Sequence, residues 1–237
     1  MKLTYKELEI ELELAGLLAV EELVLTQGLN CHAGLTLKIL IEEEQRDELV
    51  TMSSDAGVTV RELEKTNGQV VFRGKLETVS ARRENGLFYL YLEAWSYTMD
   101  WDRVKKSRSF QNGALTYMEV AQRVLSGYGQ SGVTDHATGG ACIPEFLLQY
   151  EESDWVFLRR LASHFGTYLL ADATDACGKV YFGIPEISYG TVLDRQDYTM
   201  EKDMLHYARV LEKEGVLSQE ASCWNVTVRF FLRMWET

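Results

Sequence analysis

Proline is almost missing from this chain: Pro144 and Pro185 are the only two in 237 residues, and no proline- or serine-rich stretch divides it. Without such a linker, any boundary between folded units must be a short loop. Cysteine is also sparse. Cys31, Cys142, Cys177 and Cys223 stand far apart with no C-x-x-C pair, which removes the usual signals of a zinc site or a disulfide framework. The four histidines, His32, His136, His164 and His206, are isolated, with no H-x-x-x-H spacing, so the metal assignment is none. Positive charge is short as well: 24 Lys and Arg against 36 Asp and Glu leave a formal charge of −12, which argues against specific nucleic-acid binding. The densest basic cluster, Arg103-Val104-Lys105-Lys106-Ser107-Arg108, is read as a solvated turn. No stretch approaches the length of a membrane span, and the N-terminus has no apolar core after a basic start, so the expectation is a soluble chain made in the cytoplasm, with no membrane insertion.

Chemical motifs are equally scarce. Gly127-Tyr128-Gly129-Gln130-Ser131-Gly132 fits G-x-G-x-x-G literally, but it follows a helical pattern, whereas a dinucleotide fingerprint must leave a strand and open a helix. His136 and Cys142 share a loop region, and the plain reading is a loop histidine beside a structural cysteine. The acidic run Glu151, Glu152 and Asp154 resembles a glycosidase pair only in composition, because a helix start favours acids there without catalysis. Asn225-Val226-Thr227 is a glycosylation sequon in form alone, and no serine stands in a G-x-S-x-G elbow. The sequence therefore offers no enzyme, no catalytic residues and no cofactor site.

What is present is pattern. With 46% hydrophobic residues the chain can bury a full core. Residues 7–14 alternate strictly, leucines and isoleucine on one side and glutamates on the other, as in a strand with one wet face. Glu22–Thr26 and Leu35–Ile41 read as further strands, the second with Leu35, Leu37, Ile39 and Ile41 on a common face. Glu42–Leu49 reads as a short helix or a charged loop. Asn67-Gly68 and Asn85-Gly86 are hairpin dipeptides that accept positive φ. In Leu87–Tyr97 both faces are apolar or aromatic, so this strand needs cover on both sides. The first hundred residues thus predict five to seven antiparallel strands in a barrel or sandwich.

The period then becomes helical. Tyr117, Val120, Ala121, Val124 and Leu125 share a face, Thr116 with Glu119 forms a capping box, and Gly127 is placed at the end of the helix. Phe146–Tyr150 is a strand-length run that stops at Ser153, the expected N-cap of a second helix. Trp155, Leu158, Leu161, Ala162 and Phe165 face a core there, while Arg159, Arg160 and Ser163 fall elsewhere; Gly166 is the expected left-handed C-cap. Tyr168–Ala171 and Lys179–Phe182 suit a hairpin. Residues 189–222 are mixed, and 224–235 is a final strand-like run; a chain that ends inside an apolar strand implies that more of the native protein follows.

One resemblance joins these pieces. Val71-Phe72-Arg73-Gly74-Lys75-Leu76, then Ser107–Gln111 with Phe110 leading into Thr116-Tyr117, then Gln149-Tyr150-Glu151-Glu152-Ser153-Asp154-Trp155-Val156-Phe157-Leu158-Arg159-Arg160-Leu161, resembles the late control protein D and VgrG family. These are hub proteins of contractile phage tails, type VI secretion spikes and related injection systems. The match runs over about residues 60–184, and its most specific part is Gln-Tyr-Glu-x-Ser-Asp followed by Phe-Leu-x-Arg-Leu. Gly166-Thr167-Tyr168 is one residue shorter than the family's run at that place.

The resemblance implies a mainly β, α+β fold: a tube-like antiparallel barrel in residues 1–106, an inserted α+β region in 107–188 with helices near 116–126 and 154–165, and the incomplete start of a second barrel in 189–237. It implies a structural hub, a homotrimer joining the inner tail tube protein to a spike or OB-fold tip protein. The spike would be a separate chain or a missing C-terminal part, since residues 191–237 are too few for a second barrel, an OB-fold and a spike. Assembly would take place from the bacterial cytoplasm into a tail or injection particle. Phe72, Gly74, Phe110, Tyr117, Gln149, Tyr150, Glu152, Asp154, Trp155, Phe157, Leu158, Arg160, Leu161 and Gly166 carry the motif as structural residues. An acidic ring would let DNA or cargo pass without sticking. The competing class is a stand-alone carbohydrate- or small-molecule-binding β module with Tyr89, Tyr91, Trp95 and Trp101 as an aromatic platform.

Overall fold

The computed structural model describes residues 2–5, 8–12, 17–45, 56–62, 69–144, 146–183, 185 and 225–231. The expectations for Asn67-Gly68, residues 46–49 and residues 189–222 lie outside them. The alternating segments become strands β1 (Lys2–Tyr5), β2 (Leu8–Leu12), β3 (Leu17–Gly28), β4 (Gly34–Ile41), β5 (Gly57–Glu62), β6 (Val70–Glu84) and β7 (Leu87–Trp95). They form one antiparallel sheet in the order β1-β2-β5-β6-β7-β4-β3. The sheet curls far enough to bring β1 close to β3. Residues 225–231, assigned from sequence to a second barrel, lie antiparallel to β3 at the end of this sheet.

Period-two alternation decides which face is dry. Leu35, Leu37, Ile39 and Ile41 of β4 stand opposite Ala94, Leu92, Leu90 and Phe88 of β7, and all are buried. Ile10 and Leu12 of β2 oppose Val60 and Val58, which in turn oppose Phe72 and Gly74 of β6. Gly74 has to be glycine: a Cβ there would lie 2.3 Å from the Trp95 carbonyl oxygen and 2.8 Å from the Phe72 ring. At the β6–β7 turn Asn85 (φ +49°) and Gly86 (φ +86°) both adopt left-handed backbone, the requirement of a tight hairpin.

On the second face of β7, Leu87 and Glu93 are exposed and Tyr89, Tyr91 and Trp95 are half-buried among the described residues. Lys38 places its ammonium 4.2 Å from the Tyr89 ring centre and 5.8 Å from that of Tyr91, and Arg82 lies over Tyr91 at 4.8 Å. Lys38 also meets Glu21 at 2.6 Å and Glu84 at 2.9 Å, while the Tyr91 hydroxyl donates to Glu84. Cation–π contacts and ion pairs over half-buried tyrosines do the covering.

A 3₁₀ turn, Tyr97–Trp101, leads into the second unit: β8 (Lys105–Phe110), α1 (Tyr117–Leu125), β9 (Gly132–Asp135), β10 (Leu147–Ser153), α2 (Asp154–Ser163), β11 (Leu169–Ala171) and β12 (Lys179–Phe182). β8 pairs with β10 as a ribbon; β11 and β12 form the expected hairpin, and β9 joins β12 in parallel. Helix α1 has the Thr116–Glu119 capping box and ends at Leu125 with Ser126 as C-cap, so that Gly127 is the first residue beyond it. This unit has its own core, which takes in Trp101, Phe110, Val120, Val124, Trp155, Phe157, Leu158, Leu161 and Phe182.

The two units meet at a hydrogen-bonded seam. Asn30 donates its backbone N–H to the Leu169 carbonyl (2.7 Å), and Leu169 returns its own N–H to Asn30 Oδ1 (2.9 Å). Gln27 Nε2 donates to the Ala171 carbonyl, and the Arg73 N–H donates to the Ala173 carbonyl. Ala173 itself is packed into the core of the curled sheet.

Candidate functional site

The motif residues around the second helix converge on one buried carboxylate. Ser153 has extended backbone and caps α2, accepting from the Val156 N–H, and its own hydroxyl donates to Asp102. Asp154, the first helical residue, is fully buried. Its oxygens receive Lys106 Nζ (2.7 Å), Arg108 Nη2 (2.6 Å), Gln149 Nε2 (2.8 Å) and the Tyr128 hydroxyl (2.7 Å). Burial pushes the Asp154 carboxyl up. The hydrogen bonds from Lys106, Gln149 and Tyr128 and the charge of Arg108 outweigh it and hold the group below its ordinary range.

Asp154 stands at the helix start as expected, but it is buried and paired with two cations, and Arg103–Arg108 is not simply a solvated turn. Its second half is β8, where Lys106, Arg108 and Phe110 point to one face and Lys105, Ser107 and Ser109 to the other. The inward face supplies both cations to Asp154, whereas Arg103 stays outside and pairs with Glu77 and Asp100. A carboxylate saturated by four donors and held below its usual pKa is an anchor; it cannot serve as a general base.

Other motif residues belong to the same node. Gln149 is buried and also donates to the Glu152 carbonyl. Glu152 pairs with Arg160 at 2.5 Å, and Arg160 donates to the Leu148 carbonyl. Phe110 stacks on Phe157 (6.0 Å between ring centres, 14° between planes), while Trp155, Leu158 and Leu161 are buried beside them. Phe157 was missing from the helix face read from sequence, which named Trp155, Leu158, Leu161, Ala162 and Phe165. Tyr117 reaches across from α1: its hydroxyl lies 2.9 Å from His164 Nδ1, and its ring meets Phe165 edge-on. Gly166 has φ +60°, the left-handed conformation expected after the helix. Phe72 and Gly74 lie apart from the node, in the curled sheet.

Tyr150 points the opposite way. A bulge between Gln149 and Glu152, with Glu151 at φ +46°, leaves Tyr150 66% exposed, in line with exposed Phe146 and Leu148. The residues that sequence reasoning missed are Lys106, Arg108, Tyr128, Asp102 and His32. Alternation in Lys105–Phe110 could have found the first two. His32 is not isolated, since its ring centre lies 4.1 Å from that of Trp155.

The aromatic platform of the carbohydrate reading is absent in its proposed form. Trp101 is fully buried, against Tyr128 and Trp155, and Tyr89, Tyr91 and Trp95 are only half exposed. A shallow pocket lined by Leu25, Thr26, Gln27, Ala33, Val71, Phe72 and Ala173 brings two polar side chains together, and Gln27 is already committed to the Ala171 carbonyl. Among the described residues, no group of three or more His, Cys, Asp or Glu side chains could hold a metal ion, and no helix is long and apolar enough to cross a membrane.

Comparison with known proteins places this architecture. Residues 35–183 match the family described as phage tail baseplate hub (GPD), a span that includes most of the curled sheet and the whole second unit. No curated protein sequence matches. Among solved structures, the 43 kDa tail protein of prophage MuSo2 from Shewanella oneidensis superposes with a TM-score of 0.58 at 15% identity, covering 74% of this chain and 52% of that one. A tail protein from Neisseria meningitidis MC58 gives 0.54 at 15% identity, covering 68% and 45%. The E. coli c3393 protein, a type VI secretion component similar to T4 tail proteins, gives 0.54 at 12% identity, covering 73% and 48%. The chain therefore spans about half the length of each of these neighbours, and at such identities the likeness shows the fold.

Proposed function

The chain belongs to the phage tail baseplate hub family, and from that premise we propose that it is a structural hub of a contractile tail or injection machine, without catalytic activity. In this reading it trimerises into a ring that joins the inner tail tube to the central spike, with the curled sheet of residues 1–106 as the tube-like part and residues 107–188 as an inserted unit. The spike is contributed by another chain or a further segment. The observation that carries the reading is the extent of the family match, which crosses from the curled sheet through the seam to β12. The chemistry at the motif supports it: Glu152 and Asp154, two of the three acids that resemble a glycosidase pair in composition, are each committed to a basic partner at the helix start.

The motif residues are read as the structural signature of the hub, with Asp154 holding β8, β10, α1's following loop and α2 together. The excess of carboxylates suits a ring that passes polyanionic or other cargo without retaining it. Co-expression with the cognate tube and spike proteins, followed by light scattering and electron microscopy, tests the proposal. A threefold ring bound to tube ends is the expected result. A full-length protein that stays monomeric at high concentration and binds neither tube nor spike would sink it.

A further inference from the structure

We propose that His32 is an acid-sensitive latch between the curled sheet and the α/β unit, whose protonation releases the loop of residues 29–33 from β11 and α2. That loop carries much of the seam. Leu29 forms an antiparallel bridge with Leu170, and Asn30 exchanges two hydrogen bonds with Leu169. Two residues on, the His32 ring lies against Trp155, at 4.1 Å between centres and 39° between planes. The His32 side chain is only 9% exposed. Its Nδ1 lies 2.9 Å from Thr98 Oγ1, which contacts Ser96 Oγ, and Ser96 Oγ accepts the Ala33 N–H. One ring thus touches α2, the 3₁₀ turn and, through Ser96, its own loop.

The other nitrogen is what makes the site labile. Nε2 is buried with no hydrogen-bond partner, 3.6 Å from Asp102 Oδ2. The charged groups that face the ring are Asp102, from the turn after Tyr97–Trp101, and Arg159, from α2; Trp155 and Thr98 are neutral. Asp102 divides its carboxylate: Oδ1 takes the Ser153 hydroxyl at the α2 cap, and Oδ2 faces Nε2 from beyond hydrogen-bond distance. A protonated ring needs an acceptor at each nitrogen: Thr98 Oγ1 serves Nδ1, and Nε2 reaches Asp102 Oδ2 only if that side chain shifts from its place at the α2 cap.

Burial lowers the His32 pKa from 6.5 to about 4, with Asp102 opposing and Arg159 adding to the shift. A depressed folded value means that the latch is intact above pH 6.5 and weakens as pH falls towards about 4.

Amide hydrogen exchange on the full chain, corrected for intrinsic pH dependence, tests this. Asn30 and Leu169 donate across the seam. Their opening constants should rise by up to about tenfold per pH unit over that window, while Leu37 and Leu92, paired within the sheet, stay flat. In His32→Phe, which keeps an aromatic ring on Trp155 but cannot titrate, the dependence at the seam should vanish. A pH response equal in seam and sheet, or one that persists in His32→Phe, overturns the proposal. If that variant does not fold, NMR titration of the His32 Cε1 proton in the wild type decides. A midpoint well below 6.5 supports the latch, and one at or above it refutes it.

Discussion

The curled sheet and the α/β unit solve the same burial problem by different means. The sheet relies on period-two alternation: its dry face is almost wholly aliphatic, and its charges lie outside over tyrosines. The α/β unit has short strands and two short helices that cannot fix their mutual positions by apolar contact alone, and it places a charged carboxylate at its centre. Directional hydrogen bonds from β8, the loop after α1 and β10 to the first residue of α2 set the arrangement. Nonspecific burial suffices where a hydrogen-bonded ladder already sets geometry, and a polar node appears where none does.

The strongest test is whether these are two cores or one. Phe72 and Trp155 are both almost completely buried, the first in the sheet and the second in the α/β unit. Each, changed to alanine, should cost about 3–5 kcal/mol, read from the shift in urea midpoint. Being in separate clusters, the two losses should add to within about 0.5 kcal/mol in the double variant. A coupling well above that would mean that the seam merges the cores into one cooperative body.

Removing charge from each region should expose the contrast next. Asp154→Asn strands Lys106 and Arg108 over a neutral amide and should cost about 3 kcal/mol, at the low end for a broken buried pair because both cations are partly exposed and can rehydrate. Lys38→Met on the outer face of the sheet should cost about 1 kcal/mol or less. Because the Asp154 carboxyl is held below its ordinary 3.8, its contribution is present above that value and is lost as pH falls further. Stability curves of wild type and Asp154→Asn should therefore converge in strong acid, and curves that stay parallel would show that Asp154 is not ionised in the fold.

The same contrast decides what could be read from the sequence. The sheet is legible because its determinants are neighbours: Leu35, Leu37, Ile39 and Ile41 announce a strand and its buried face within seven residues. The Asn85-Gly86 turn and the Thr116–Glu119 box are equally local. The Asp154 node is not local. Lys106 and Arg108 lie more than forty positions before it, so the acidic run reads only as a helix start and the basic run as a solvated turn. Family resemblance marked Gln149 and Asp154 as belonging together, but it gave no reason; the reason is that one buried oxygen takes the Gln149 amide. His32 was invisible because its partner, Trp155, comes from the other unit. The parallel strand β9 was missed too, since a short run with no alternating burial gives no signal of its own.

Backbone approach offers a third contrast. Gly74→Ala forces a methyl against the Trp95 carbonyl, which belongs to the ladder and cannot rotate away, so a loss of about 1–3 kcal/mol is expected, with Phe72 displaced in the crystal structure of the variant. Gly129→Ala, at an open left-handed position with nothing within 4 Å, should cost only the conformational penalty of about 1 kcal/mol. Equal losses at the two sites would show that strand separation at β6–β7 adapts to the extra carbon.

The smallest expected effect separates the two helix starts inside the α/β unit. Thr116 caps α1 at the surface: its hydroxyl accepts the Glu119 N–H, and Glu119 accepts the Thr116 N–H in return. Glu119 keeps its carboxyl low chiefly through that backbone bond. In Thr116→Ala the freed Glu119 N–H can turn to water, so the loss should be about 1 kcal/mol, with the m-value unchanged. Ser153 caps α2 from inside, between Val156 and Asp102. Ser153 is itself buried, so its alanine variant removes a hydroxyl that serves two partners from an enclosed position, and it should cost about 2 kcal/mol, the upper end for a cap. If Thr116→Ala proves the more damaging of the two, the buried node does not fix the start of α2, and α1 rather than Asp154 organises the unit.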